Sequence, residues 1–165
     1  QRPGRWWYLP NLGLLGSSMP SGIAAKLANP NRRVISFSGD GAFGFNAMEL
    51  ETAFREKVGL VVVLGNDSTW GIDNGIQIGV YGRGVATDLS DKVRYDKVAE
   101  ALGGHGEYVQ NADELQPALE RAFAAAAEGK VALVNVLIQR FISPRAENSI
   151  NRIKAGLAKH LGHGH

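Results

Sequence analysis

Short apolar, β-branched runs alternate along this chain with stretches whose apolar residues recur every three or four positions. Pro20 to Ala28 reads as a helix, because Pro20 suits a first helical turn and Asn29-Pro30 stops it. Arg33 to Ser38 (RVISFS) reads as a buried strand ending on Gly39-Asp40-Gly41. Asn46 with Glu49 resembles a capping box. It would open a helix from Ala47 to Lys57 that puts Leu50, Ala53 and Phe54 on one face before Gly59 breaks it. Leu60 to Gly65 (LVVVLG) is a second buried strand. The passage from Gly71 to about Lys92 is rich in glycine and reads as a long loop. It exceeds the roughly 12 to 15 residues that compact domains usually leave structureless, and loops of that length are commonly functional. Tyr95 to Leu102 reads as a helix closed by Gly103-Gly104, and Glu107 to Val109 as a short strand. Asn111 with Glu114 repeats the capping pattern ahead of a helix from Ala112 to Glu128, and Val131 to Ile138 (VALVNVLI) is a third strong strand.

Strands that are apolar on both faces and separated by amphipathic helices imply a parallel sheet covered on both sides, an α/β doubly wound fold. Ligands of such sheets bind beyond the carboxyl ends of the strands. Those places lie just after Ser38 and just after Gly65, and each carries an aspartate: Asp40 and Asp67. A right-handed crossover puts both strand ends on one rim, so the two carboxylates can converge.

Composition narrows the classes of function. The chain has 165 residues, enough for one domain that buries roughly 70% of its unfolded surface. A net charge of +2, with no basic stripe interleaved with aromatics, argues against a nucleic-acid partner. The absence of cysteine removes disulfides, thiolate metal sites and cysteine nucleophiles together. No apolar run approaches the roughly 20 residues of a membrane span, so we expect no membrane partner and a cytoplasmic protein. Because the first residue is Gln1 and Arg2 to Trp7 reads as a connection, we expect a fragment of a longer chain.

Two carboxylates among glycines on one rim suit a hard divalent cation, since magnesium takes an octahedral shell of oxygens and is often shared with phosphates. Gly39, Gly41 and Ala42 lack bulk, so their backbone N–H groups can approach a phosphate, and a helix starting near Asn46 would add its positive end. The plainer reading of either aspartate alone is a tight turn or a loop start. A nucleotide-binding module is a third possibility, against which stands the absence of a Walker lysine or a G-x-G-x-x-G turn.

The stretch GDGAFGFNAMELETAFREKVGLVVVLGNDSTWG, Gly39 to Gly71, lifts the pair above the plainer reading. It resembles the diphosphate-binding signature of thiamin-diphosphate enzymes, most of all the group with acetolactate synthase, 2-hydroxyacyl-CoA lyase and oxalyl-CoA decarboxylase. The resemblance runs back through NLGLLGSSMPSGIAAKLANPNRRV and forward to about Ile138. It implies thiamin diphosphate and Mg2+ as cofactors. Asp40 and Asp67 would be side-chain metal ligands and Thr69 a ligand through its carbonyl. Gly39, Gly41, Ala42, Trp70 and Gly71 would line the diphosphate, with Asn66 as the first residue of the paired asparagine. The family most often has asparagine where this chain has Asp67. Leu15 matches the bulky residue that bends the cofactor, the plainer reading being a core leucine.

The resemblance also implies that no catalytic residue lies in this chain. The family's reaction is started by a glutamate in a pyrimidine-binding domain, of the same or a neighbouring subunit, and the first strand of the present domain would precede Gln1. The implied enzyme is a lyase or transferase acting on a C–C bond next to a carbonyl. Its substrate would be a small 2-keto acid or a 2-hydroxyacyl-CoA, and its assembly a homodimer or homotetramer. A noncatalytic homologue that serves assembly is the alternative. The cofactor domain would occupy 1–140, with a basic amphipathic segment and His-Gly tail at 141–165. In that segment Ile150, Ile153, Leu157 and Leu161 recur at helical spacing. Acyl-CoA members of the group use the corresponding segment near their ligand, but we favour a docked or frayed terminal helix. His160, His163 and His165 read as a mobile tail rather than a metal site.

Overall fold

The computed structural model describes residues 4–7, 13–142 and 144–161. The histidines at 163 and 165, and the start of the NLGLLGSSMP segment, lie outside the described residues. Four strands form one parallel sheet: β1 (Ile35–Gly39), β2 (Val61–Asn66), β3 (His105–Val109) and β4 (Ala132–Leu137), in the spatial order β1-β2-β4-β3. The register pairs Gly39 with Gly65, which sets the carboxyl ends of β1 and β2 side by side.

Two apolar layers enclose the sheet. On one face α1 (Ser18–Ala28), α2 (Asp40–Phe45), α3 (Glu49–Arg55) and α5 (Tyr95–Ala101) bury Met19, Ile23, Phe43, Leu50, Ala53 and Ala99 against Leu60, Val62, Leu64 and Leu133. On the other, α6 (Leu115–Ala127) packs Ala118, Ala122 and Ala125 on Val61, Ala132 and Val134. Alternate residues of β2 and β4 thus serve opposite layers, the period-two consequence of strand geometry. The doubly wound α/β arrangement expected from the pattern is the one observed.

The two edge strands differ in chemistry. β3 carries Glu107, which accepts hydrogen bonds from Arg121 of α6 (2.8 and 2.7 Å) and pairs with His105 (2.7 Å). At the opposite edge β1 turns Ile35 (42% exposed) and Phe37 (56%) toward solvent, with the Trp6 ring 6.1 Å from that of Phe37.

Three local expectations change. The passage after Gly71 is not a loop throughout: its first half is the helix α4 (Gly71–Tyr81), closed by Gly82 at φ 74°. Its glycines are a packing stripe. A Cβ on Gly79 would come within 2.7 Å of Ile150, and one on Gly75 within 3.4 Å of Ile142, so the bare backbone admits the C-terminal segment. That segment forms α7 (Pro144–Leu161), which starts ahead of Asn148, buries Ile150 and leaves Ile153 and Leu157 each 39% exposed.

Asn46 is not a helix cap. It ends α2, and its amide donates to the Gly16 carbonyl (3.0 Å), while α3 starts after Met48 without a side-chain cap. The second capping box is present: the Asn111 N–H donates to Glu114 (3.1 Å) at a 3-10 turn, Ala112–Glu114, that leads into α6.

Candidate functional site

Asp40 opens α2 directly from the end of β1 and is almost completely buried, at 3% exposure. The Gly41 N–H donates to its Oδ1 (2.9 Å) and the Ser68 N–H to its Oδ2 (2.8 Å). The second bond reaches 28 residues along the chain and ties the ends of β1 and β2 together. Asp67 follows β2, and its Oδ1 accepts the Thr69 N–H (3.2 Å). Its other oxygen lies over Gly71, where an added Cβ would be 3.0 Å away. Burial, and then the negative charge of Asp67, push the Asp40 carboxyl above its ordinary range despite the N–H groups of Gly41 and Ser68. The two carboxylates therefore feel each other. Among the described residues no cationic side chain hydrogen-bonds to either of them.

The loop that joins β2 to α4 is fixed from several directions. Ser68 adopts a left-handed backbone at φ 57°, which a non-glycine residue holds only when its surroundings over-determine it. Its hydroxyl accepts the Lys92 N–H (3.0 Å), and its carbonyl accepts the Leu89 N–H (2.9 Å). Thr69 is buried, and its hydroxyl donates to the Thr87 carbonyl (2.7 Å). None of these bonds is accepted by the Thr69 carbonyl. Beyond it, the first intrahelical bond of α4 runs from the Asn74 N–H to the Trp70 carbonyl (2.8 Å). The N–H groups of Gly71, Ile72 and Asp73 precede that bond, the position where helices present unpaired donors to anions.

The other residues singled out in the sequence take distinct places. Asn66 is 2% exposed, and its amide donates to the Val93 carbonyl (3.1 Å) and to Asn135 of β4 (3.2 Å). Its Oδ1 accepts the Ser68 N–H (3.2 Å), so this side chain is spent inside the protein. Asn135 in turn donates to Asp96 (3.3 Å), which Arg94 grips through both carboxylate oxygens. Burial alone would raise the Asp96 carboxyl, but the hydrogen bonds of Arg94 and Asn135 hold it below its ordinary range.

Gly39 and Gly41 lack side chains for different reasons. A Cβ on Gly39 would meet nothing within 4 Å, which leaves open space at the strand end, whereas one on Gly41 would strike the Trp70 ring at 2.8 Å. That ring also packs edge-on against Phe45, with centroids 5.5 Å apart, and the Trp70 N–H is taken by the Thr87 carbonyl (2.8 Å).

Leu15, 48% exposed, lines a cavity of about 660 Å3 together with Gly16, Gly39 and Ala42. Asp40, Gly41, Asp67, Thr69, Trp70 and Gly71 lie outside that lining. The helix starts beside Asp40 and Asp67 do not include the one expected at Asn46; α2 begins at Asp40 and α4 at Gly71. Sequence reasoning missed Asn135, Asp96 and Arg140. Asn135 and Arg140 find their partners tens of residues away, and Asp96 joins the site only through Asn135, 39 residues on, so no local spacing marks them.

A cation fits this donor set. Two carboxylates and one carbonyl offer hard oxygens, and Asp40, raised by burial and by Asp67, gains from any nearby positive charge. Among the described residues no group of three or more acidic or histidine side chains could hold a metal alone. The remaining ligands would have to come from water and from a bound anion.

Comparison with known proteins agrees with the geometry. The family described as "Thiamine pyrophosphate enzyme, C-terminal TPP binding domain" matches residues 1–136. A probable acetolactate synthase of Mycobacterium bovis is 46% identical over 147 residues, 88% of this chain and 26% of that protein. A 2-hydroxyacyl-CoA lyase 2 of Caenorhabditis elegans is 37% identical over 139 residues, 82% of this chain and 22% of that protein. Among solved structures, the thiamine diphosphate-dependent 4-hydroxybenzoylformate decarboxylase of Rhodococcus jostii RHA1 superposes with a TM-score of 0.69 at 28% identity, covering 78% of this chain and 24% of that one. The chain thus spans about a quarter of the length of the relatives it matches. With its strand-end carboxylates and parallel sheet, this chain belongs to the C-terminal thiamine pyrophosphate-binding domain family of thiamine pyrophosphate enzymes.

Proposed function

We propose that the chain binds the diphosphate of thiamin diphosphate through Mg2+, held by the carboxylates of Asp40 and Asp67 and the carbonyl of Thr69. The observation that carries this reading is the pair itself: a buried Asp40, pushed toward its neutral form by burial and by Asp67, with no cationic side chain among the described residues hydrogen-bonded to either carboxylate. With Asp40 ionised, a bound cation would offset the cost of its burial beside Asp67. The N–H groups that open α4 would face the diphosphate, Gly39 and Ala42 would leave room for it, and Leu15 would press on the cofactor from the cavity wall. Asn66 would serve by holding Ser68, and Trp70 by walling the site with its ring.

When bound, thiamin diphosphate supplies a nucleophilic carbon for making or breaking a C–C bond next to a carbonyl. The residues of this chain would orient and anchor it. The proton transfer that starts the chemistry would belong to a glutamate in a pyrimidine-binding domain of the same or a neighbouring subunit. The complete enzyme would be an acetolactate-synthase-like or 2-hydroxyacyl-CoA-lyase-like lyase or transferase, a homodimer or homotetramer, acting on a 2-keto acid or a 2-hydroxyacyl-CoA.

Titration of the chain with thiamin diphosphate, with and without magnesium, tests the site. Asp40→Ala should abolish magnesium-dependent binding, and unchanged affinity would mean that the site is misplaced. The chain alone should show neither decarboxylation nor carboligation when cofactor and magnesium are added. Measurable turnover would overturn the view that it is half of an active site.

A further inference from the structure

We infer that Arg140, braced by Asp88, is a positioning residue that aims the metal loop; the inference rests on the reading of that loop given above. Arg140 lies three residues beyond the end of β4, on the connection to α7. Its Nε donates to the Asp67 carbonyl (3.1 Å) and its Nη2 to the Ser68 carbonyl (2.9 Å). Its remaining terminal nitrogen, Nη1, donates to Asp88 Oδ1 (2.7 Å).

Two successive carbonyls on one planar guanidinium fix the orientation of the peptide units at 67 and 68. That orientation matters because Ser68 holds a left-handed backbone, and its N–H must point at Asp40 while its carbonyl points away. If either peptide rotated, the bond from the Ser68 N–H to Asp40 or that from the Thr69 N–H to Asp67 would be lost. Asp88 is placed to brace the clamp. It sits where the returning segment pairs antiparallel with Thr69, between the Thr87 carbonyl that accepts the Trp70 N–H and the Leu89 N–H that donates to Ser68. Arg140 thereby ties three segments, the metal loop, the returning segment and the exit from β4, into one unit.

The Arg140–Asp88 contact is half exposed on the arginine side and more so on the aspartate, so as an ion pair it contributes little by itself. The two carbonyl bonds carry the effect. A lysine at 140 would keep the charge but not the fork, which separates positioning from simple charge balance.

Amide hydrogen exchange and a magnesium titration at fixed thiamin diphosphate, both on the whole 165-residue chain, test this. Arg140→Ala should speed exchange at Ser68, Trp70 and Leu89 while leaving Val62 and Leu133 in the sheet unchanged. It should also raise the magnesium half-saturation by about ten-fold or more. Arg140→Lys should remain impaired, and Asp88→Asn should fall between wild type and Arg140→Ala. If wild type binds and Arg140→Ala matches it in loop exchange and half-saturation, the clamp is overturned and the cofactor reading stands. If wild type shows no magnesium-dependent binding at all, the cofactor reading falls, and the clamp's role in the site falls with it.

Discussion

Asp67 stands where the family resemblance implies asparagine, and its carboxylate is a cause, after burial, of the raised pKa of Asp40. Asp40 is protonated more readily than an ordinary aspartate because ionisation costs burial and brings it against Asp67. Its raised pKa means that the folded state binds a proton which the unfolded state has already lost. Stability in the absence of a cation therefore falls as pH rises from the ordinary carboxylate range through the folded value of Asp40. Metal binding has the opposite sign, since the cation needs Asp40 ionised, so magnesium affinity should fall on acidification at a pH above that of an unperturbed aspartate. Asp67→Asn keeps the Oδ1 that accepts the Thr69 N–H but removes the repulsion. It should raise the melting temperature of the metal-free chain at neutral pH, move the acidic loss of magnesium binding to lower pH, and weaken magnesium affinity at neutral pH. Thermal melts and magnesium titrations between pH 4 and 8 would read all three. A melting curve insensitive to the substitution would show that the carboxylates do not interact.

At the scale of elements, what could be read from the sequence follows the range of the interaction behind each feature. The strands were legible because LVVVLG and VALVNVLI are apolar on both faces, and Asp40 and Asp67 were legible because they end such strands. α4 was not, because Gly75 and Gly79 look like turn residues until the C-terminal segment, through Ile142 and Ile150, is seen to lie against them. The same blindness applied to Asn46, whose amide reaches the Gly16 carbonyl, a partner 30 residues back, rather than capping its own neighbour. Arg140 acts through carbonyls more than 70 residues away, which no local pattern records.

The glycine stripe makes a definite prediction. Gly79→Leu puts a side chain where Ile150 already sits, so despite the better helix propensity it should destabilise the chain by about 1 to 3 kcal/mol. Ile150→Ala in the same background should recover part of that loss in denaturant melts. Gly41→Ala should act differently, since its added methyl meets the Trp70 ring beside the proposed diphosphate position; weakened cofactor binding and a shifted tryptophan emission should accompany it. No recovery of stability in the Gly79→Leu, Ile150→Ala pair, or unchanged binding and emission in Gly41→Ala, would show that the respective contact is incidental.

At the scale of the whole molecule, the sheet divides labour between its ends. Its carboxyl end gathers the carboxylates, the loop carbonyls and the first turn of α4, while the two apolar layers hold the strands in the register that keeps Gly39 beside Gly65. Because so few protein ligands converge there, metal and diphosphate should depend on each other. Magnesium alone should bind the chain far more weakly than magnesium with thiamin diphosphate, and calorimetric titrations in both orders should return the same coupling, as linkage requires. Independent binding of the two would separate the site into unrelated parts. Among the described residues no helix is long and apolar enough to cross a membrane.

The unequal edges of the sheet bear on how the chain behaves in bulk solution. Charges on and beside β3 discourage another strand from adding there, whereas β1 presents Ile35, Phe37 and the nearby Trp6 next to an edge that pairs only with β2 among the described residues. Open apolar edges are templates for intermolecular pairing. At high concentration the purified chain should therefore scatter light increasingly with time, and Phe37→Lys should suppress that drift while leaving the far end of the sheet undisturbed.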